Sequence, residues 1–240
     1  MSIALAFASL AGAGASVAVG SSDPGCAGVS TPSREGSTIA KVMVTTEVRR
    51  TPGGPAVWQA RTSTPWGDNP TWLLVLGCRS DERGTRWLRV QLPVRPNGAT
   101  GWLRADYALL GRTRYWVEVD TARADVLVFE SGKLVRVWRA VVGAAATPTP
   151  LGLFAIYDPV PQPRPDYFVG PWVIQLTAHS NVLDDYGGGP GRVAIHGRAG
   201  ASLDVPLGSA ASHGCIRVDN DVVSWLATTV PTGTPVFVRS

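Results

Sequence analysis

The chain has 240 residues, 45% hydrophobic and 17% charged, a balance that excludes a disordered polymer and allows two domains, each with its own core. Its formal charge of +4, from 22 Lys and Arg against 18 Asp and Glu, comes without a basic run of the kind that marks nucleic-acid arms, so no nucleic-acid partner is expected. With 27 Gly, 19 Pro and 9 Trp, short strands and tight turns are favoured over helices, and the fold class is read as mainly β.

Residues 1–20 are apolar and rich in small side chains, and polar Ser21-Ser22-Asp23 follows at once. This pattern fits a secretory signal peptide, with a retained anchor as the alternative reading since the basic start is missing. Residues 21–38 then read as a polar linker. Short apolar runs at 39–44, 72–76, 87–92 and 101–104 alternate with turn chemistry at 51–54, 80–84 and 95–98. That spacing predicts a small β-barrel over residues 39–110. The order Trp87-Leu88-Arg89-Val90, then Asn97-Gly98, then Gly101-Trp102-Leu103-Arg104 resembles the end of bacterial SH3-like domains found on cell-wall enzymes. The resemblance implies a wall-binding module or a plain spacer.

From Tyr115 the alternation is more regular, with strands over 116–119, 126–129 and 134–138 and a Ser131-Gly132 hairpin between the last two. Thr147-Pro148-Thr149-Pro150 fixes an extended turn before the next strand. Residues 158–165, rich in proline, read as a loop before a strand at 171–176; the glycines of 187–191 read as an irregular loop. Residues 192–195 then deliver His196 at a strand end. Asp219 or Asn220 can N-cap a short helix whose buried face carries Val222, Val223 and Leu226, and residues 234–238 form a closing strand.

The three cysteines leave an odd one. Cys26 can pair with Cys78 or remain free in a flexible tail; Cys215 has no obvious partner. Cys215 lies in Ser212-His213-Gly214-Cys215-Ile216-Arg217, downstream of Ile195-His196-Gly197, in a chain with three histidines. A thiol attacks as thiolate, and a nearby imidazole and positive field are what lower its pKa. The intervening loop is long enough to return the chain beside the first strand and bring imidazole and thiol together. Gly214 beside the nucleophile lets backbone N–H groups converge on an oxyanion, and Arg217, two residues on, faces the same side as Cys215. An inert packed cysteine and a zinc site from His196, His213 and Cys215 are the bland alternatives; the ligand spacing fits no closed structural zinc site.

His196-Gly197, then a loop, then Ser212 through Arg217, preceded by Thr149-Pro150-Leu151-Gly152-Leu153-Phe154, resembles the L,D-transpeptidase catalytic domain of YkuD type over about residues 114–239. The resemblance implies a β-rich domain with one short helix after a nucleophilic Cys215. It implies His196 as general acid/base, oriented by the Gly197 carbonyl, and an oxyanion hole around His213, Gly214 and Cys215, with His213 as an alternative base. Ser212 and Arg217 are then the substrate-binding residues. The expected reaction joins peptidoglycan stem peptides through a thioester, outside the membrane, in a monomer needing no metal or cofactor and open to inhibition by carbapenems. L,D-carboxypeptidase hydrolysis at the same site, a sortase-like enzyme and a non-catalytic wall-binding protein are the competing readings. The hydrophobic residues 203–207 are where acceptor or lid contacts are expected.

Overall fold

In a computed structural model that describes residues 23–185 and 189–240, the first apolar runs become one antiparallel sheet. Its strands are β1 (Ser37–Val42), β2 (Thr46–Arg49), β3 (Ala56–Ala60), β4 (Trp72–Ser80), β5 (Arg86–Gln91), β6 (Thr100–Arg104) and β7 (Ala108–Thr113), in the order β3-β2-β6-β5-β4-β1-β7. Alternate residues face inward, so Val48, Leu73, Val75, Leu88, Val90 and Leu103 are buried together. β2, β3 and β7 were not expected. β7 hides because Leu109 and Leu110 are consecutive, which breaks the two-residue alternation. Its Gly111 is needed because a Cβ there would lie 2.9 Å from the Trp72 ring. The segment expected as a signal or anchor lies outside the described residues, and among the described residues no helix is long and apolar enough to cross a membrane.

The stretch expected as a linker is fastened down. Cys26 is disulfide-bonded to Cys78 on β4, with Cα atoms 5.6 Å apart, and Asp23 accepts the Ser80 backbone N–H. Arg34 pairs with the buried Glu118 at 2.5 Å. The bond closes a loop with a sequence separation of 52. Replacing Cys26 and Cys78 together by serine should therefore cost about 4 kcal/mol through the freedom returned to the unfolded chain. Urea unfolding of the double variant against the oxidised parent would show it as a lowered midpoint.

The second sheet contains β8 (Tyr115–Asp120), β9 (Asp125–Glu130), β10 (Lys133–Arg139), β12 (Gly152–Pro161), β13 (Trp172–His179), β14 (Arg192–His196), β16 (Ile216–Arg217) and β17 (Pro235–Arg239). Between them in sequence, β11 (Val142–Gly143) pairs in parallel with β15 (Ala210–Ser212). The large sheet runs β10-β9-β8-β17-β12-β13-β14-β16, with parallel pairs at β8·β17 and β14·β16. The β9–β10 hairpin turns on Ser131 and Gly132, both at positive φ, as the sequence suggests. Helix α1 (Asn220–Thr229) packs on β13 and β14 through Val222, Val223 and Leu226. Asp219 occupies its N-cap position without capping it, the carboxylate instead pairing with Arg198 at 3.3 Å.

Residues 158–161, read as the start of a loop, belong to β12. A register shift between Ile156 and Asp158 lets the strand continue, and beyond Ile156, among the described residues, β13 is the one strand that pairs with it. The missing N–H of Pro159 and Pro161 therefore costs nothing on the open side.

The two sheets meet through polar contacts as well as apolar ones. Thr177 on β13 donates to Gln91 at 3.1 Å, while Gln91 donates to the Leu153 carbonyl at 2.5 Å. Asn97 exchanges hydrogen bonds with the backbone of His179, accepting at 2.8 Å and donating at 2.7 Å. Thr113 and Thr234 share a buried hydroxyl contact of 2.8 Å.

Candidate active site

The site grows from the parallel pairing of β14 with β16, which sets Ile195 opposite Ile216 and His196 opposite Arg217. Ile195 and Ile216 enter the core, so the alternate residues Ala194, His196, Cys215 and Arg217 face a cavity of about 260 Å³. Two sequence segments 19 residues apart thus reach one cavity, and His213 joins them from the exposed side of the turn.

His196 is buried, and its Nδ1 lies 2.7 Å from the Gly197 carbonyl oxygen. A carbonyl only accepts, so Nδ1 carries the proton and Nε2 holds a lone pair when the ring is neutral. Burial pushes its pKa down to about 4, and the Arg217 cation adds to this against the pull of the Gly197 carbonyl. Gly197 has no room for a side chain, since a Cβ would meet Asn220 Oδ1 at 2.3 Å. That same Asn220 oxygen accepts the Arg198 N–H at 2.8 Å and so fixes the chain just past the histidine.

The thiol differs from expectation. Cys215 is the free cysteine, partly exposed, and burial raises its pKa above the ordinary 9.0; the Ala194 backbone N–H and the Arg217 cation oppose this only in part. A resting thiolate is therefore disfavoured, because desolvation of an anion in an apolar cleft outweighs one cation nearby. Arg217 is itself buried, with its guanidinium 4.9 Å from the centre of the Phe168 ring, and Phe168 in turn leans on the His196 ring at 6.4 Å.

Ser212 closes the turn. Its hydroxyl, expected to meet substrate, is buried and braces the turn: it donates to the Cys215 carbonyl at 2.5 Å and accepts the Gly214 N–H at 3.1 Å. The Gly214 N–H is thereby committed and is not open to an oxyanion. Gly214 has φ +113°, a conformation that favours glycine.

Two further braces were present in the sequence without a legible role. Thr149 donates to the Gly214 carbonyl at 3.0 Å and accepts the Gly143 N–H at 2.9 Å, while Thr147 donates to the Ser212 carbonyl at 3.0 Å. The Thr-Pro-Thr-Pro segment thus clamps the turn that carries the cysteine. The approach is close enough that a Cβ on Gly143 would sit 2.3 Å from Thr149 N. Residues 203–207, expected near the site, do not line the cavity; Arg198 donates to the Leu203 and Val205 carbonyls at 3.2 and 2.8 Å and ties them into a turn of their own.

His179, the third histidine, is buried at the end of β13, where burial and then Arg192 and Arg95 push its pKa down to about 4. Above pH 6.5 both buried rings are neutral in folded and unfolded chains. As pH falls from 6.5 toward 4 the unfolded chain takes up protons that the folded one resists. Stability is therefore full above 6.5 and lost on acidification, by on the order of 3 kcal/mol per ring. Urea midpoints at pH 7 and pH 5 should differ in that direction, and the difference should shrink in His179→Gln.

These elements define a β-rich domain with a cysteine and a tautomer-fixed histidine in one pocket. Residues 114–238, more than half of the chain, match the L,D-transpeptidase catalytic domain (YkuD), and the chain belongs to that family. It is 32% identical over 124 residues to YkuD of Bacillus licheniformis, a match covering 52% of this chain and 65% of that protein's length. Among solved structures it is similar to an L,D-transpeptidase from Mycobacterium smegmatis, at 18% identity, 75% of this chain, 95% of that one and a TM-score of 0.42. An L,D-transpeptidase from Xylanimonas cellulosilytica is also similar, at 28% identity, 53% of this chain, 61% of that one and a TM-score of 0.37.

Proposed function

We propose that the protein is a peptidoglycan L,D-transpeptidase working by covalent catalysis at Cys215. The observation that carries this reading is the 2.7 Å contact from His196 Nδ1 to the Gly197 carbonyl, which leaves a neutral imidazole with its basic nitrogen free to take a proton at the pocket that holds the thiol.

Because thiol and imidazole both rest neutral, the proton moves as attack occurs. His196 Nε2 takes the Cys215 proton while Sγ bonds to the carbonyl carbon of an L-centred residue in a donor stem. The C–N bond to the terminal D-residue then breaks, and the imidazolium returns the proton to the leaving amine. The resulting thioester is attacked by an amine of a second stem; His196 takes that amine's proton and returns it to the departing sulfur. With the Gly214 N–H committed to Ser212, the oxyanion falls to the Cys215 amide beside the Gly214 turn. Arg217 supplies positive charge for the developing anion or a stem carboxylate. Every step is acyl transfer and calls on no redox group.

The Cys26–Cys78 disulfide suits an oxidising location, as expected for an enzyme exported to the wall. The N-terminal sheet is read as a domain of SH3-like kind over residues 39–110, and the catalytic domain as 114–239. Intact-mass analysis after incubation with tetrapeptide stems tests the assignment. The reading requires an adduct of the tripeptidyl mass on Cys215 that disappears as cross-linked dimer forms. Release of tripeptide alone would convert it to a carboxypeptidase, and no adduct would remove it. A carbapenem should give a parallel adduct, because a strained lactam acylates the same thiol.

A further inference from the structure

The catalytic cavity has a wall that belongs to the other domain. Trp66 lies in the segment between β3 and β4, and its side chain lines the cavity with Cys215, His196 and Phe168. The indole is 46% exposed, unusual for so large an apolar ring that is also tightly held.

The holding is specific. Asp158, fully buried on β12, accepts the Trp66 and Gly67 backbone N–H groups at 3.1 and 3.0 Å, and Asn69 Nδ2 at 2.9 Å. Gly67 permits this approach, since a Cβ there would come within 2.5 Å of Asp158 Oδ1. The Arg192 guanidinium stacks between the Trp66 and Tyr157 rings at 5.1 and 5.3 Å, and donates to the Leu176 and Pro93 carbonyls at 3.0 Å each. A buried carboxylate that holds the Trp66 backbone and a half-buried guanidinium that stacks on the ring together place one indole at the cavity. Such a ring is already ordered before a ligand arrives, so contact with it carries little further entropy cost.

Resting on the proposal that this cavity takes the acyl donor, we infer that Trp66 is a substrate-binding residue for the donor stem, packing its ring against the aliphatic part of the peptide beside the scissile bond. The N-terminal domain is then part of the donor site, and its attachment sets donor selectivity in addition to any contact it makes with the wall.

The test is steady-state kinetics of the full chain with a tetrapeptide stem as donor, for wild type, Trp66→Ala and Trp66→Phe. In Trp66→Ala the donor KM should rise about 10-fold with kcat within about twofold, since the contact is made before and during the chemistry alike. Trp66→Phe should recover most of that loss, and alkylation of Cys215 by iodoacetamide, which needs no donor contact, should keep its rate in both. An unchanged KM in Trp66→Ala overturns the inference. So does a joint fall in kcat and iodoacetamide reactivity, which would mark Trp66 as a prop for the site. Should Trp66→Ala fail to fold, an unchanged KM in a Trp66→Leu variant, which keeps apolar bulk but loses the ring, against a raised one decides the matter. Wild-type protein that no stem acylates would instead remove the donor reading of the cavity.

Discussion

Replacement of Cys215 by alanine is expected to abolish the covalent adduct and lower cross-link formation by at least about 10⁴-fold, because the variant loses the thiol that shares the cavity with His196. The fold should survive, since the side chain is partly exposed and the turn around it is held by Ser212, Thr147 and Thr149 rather than by the sulfur. Matching unfolding midpoints for Cys215→Ala and wild type, with no mass shift in the variant, is the expected pair of results. Cross-linking at the parental rate by the alanine variant would sink the assignment. The parent's thiol should also react slowly with iodoacetamide at pH 7, and its alkylation should still be accelerating at pH 9, because burial raises its pKa.

His196 carries the second large effect. His196→Ala should lower kcat/KM by about 10² to 10⁴-fold, the range associated with loss of a positioned base. In the parent, kcat/KM should fall on the acid side with an apparent pKa near the ring's value of about 4, well below that of a free imidazole. An acid limb well above 4 would count against His196 as the base. His213→Ala should leave the acid limb where it is. Loss of the ring at 196 should also flatten the dependence of stability on pH below 6.5, so kinetic and unfolding data on one variant check the same protonation claim.

Much of the site was legible because its chemistry sits in two short motifs whose residues alternate on strands. His196 ends β14, Cys215 precedes β16, and the period of two brings the alternate residues to one face. The orienting role expected of Gly197 has its hydrogen bond in place. What sequence could not carry is what depends on burial and on distant partners. The thiol's raised pKa comes from desolvation, which no spacing records. Ser212 was expected at the substrate through the family resemblance, and its hydroxyl is engaged with the turn it closes. Asp158 on β12 and Trp66 in the segment between β3 and β4 stand 92 positions apart, so their bond has no local signal. The reading of 158–161 as loop failed for another reason, while 162–165 are loop as expected: prolines argue against a central strand, and at that point β12 has become an edge.

The position of β17 decides how the large sheet is held together. Residues 235–239 lie between β8 and β12, at the middle of the large sheet, and bond to both. β8, β9 and β10 can pair among themselves, and so can β12, β13, β14 and β16, but the two groups join into one sheet only through β17. The strands that carry His196 and Cys215 are therefore tied to β8, β9 and β10 by a segment that follows both residues in the chain.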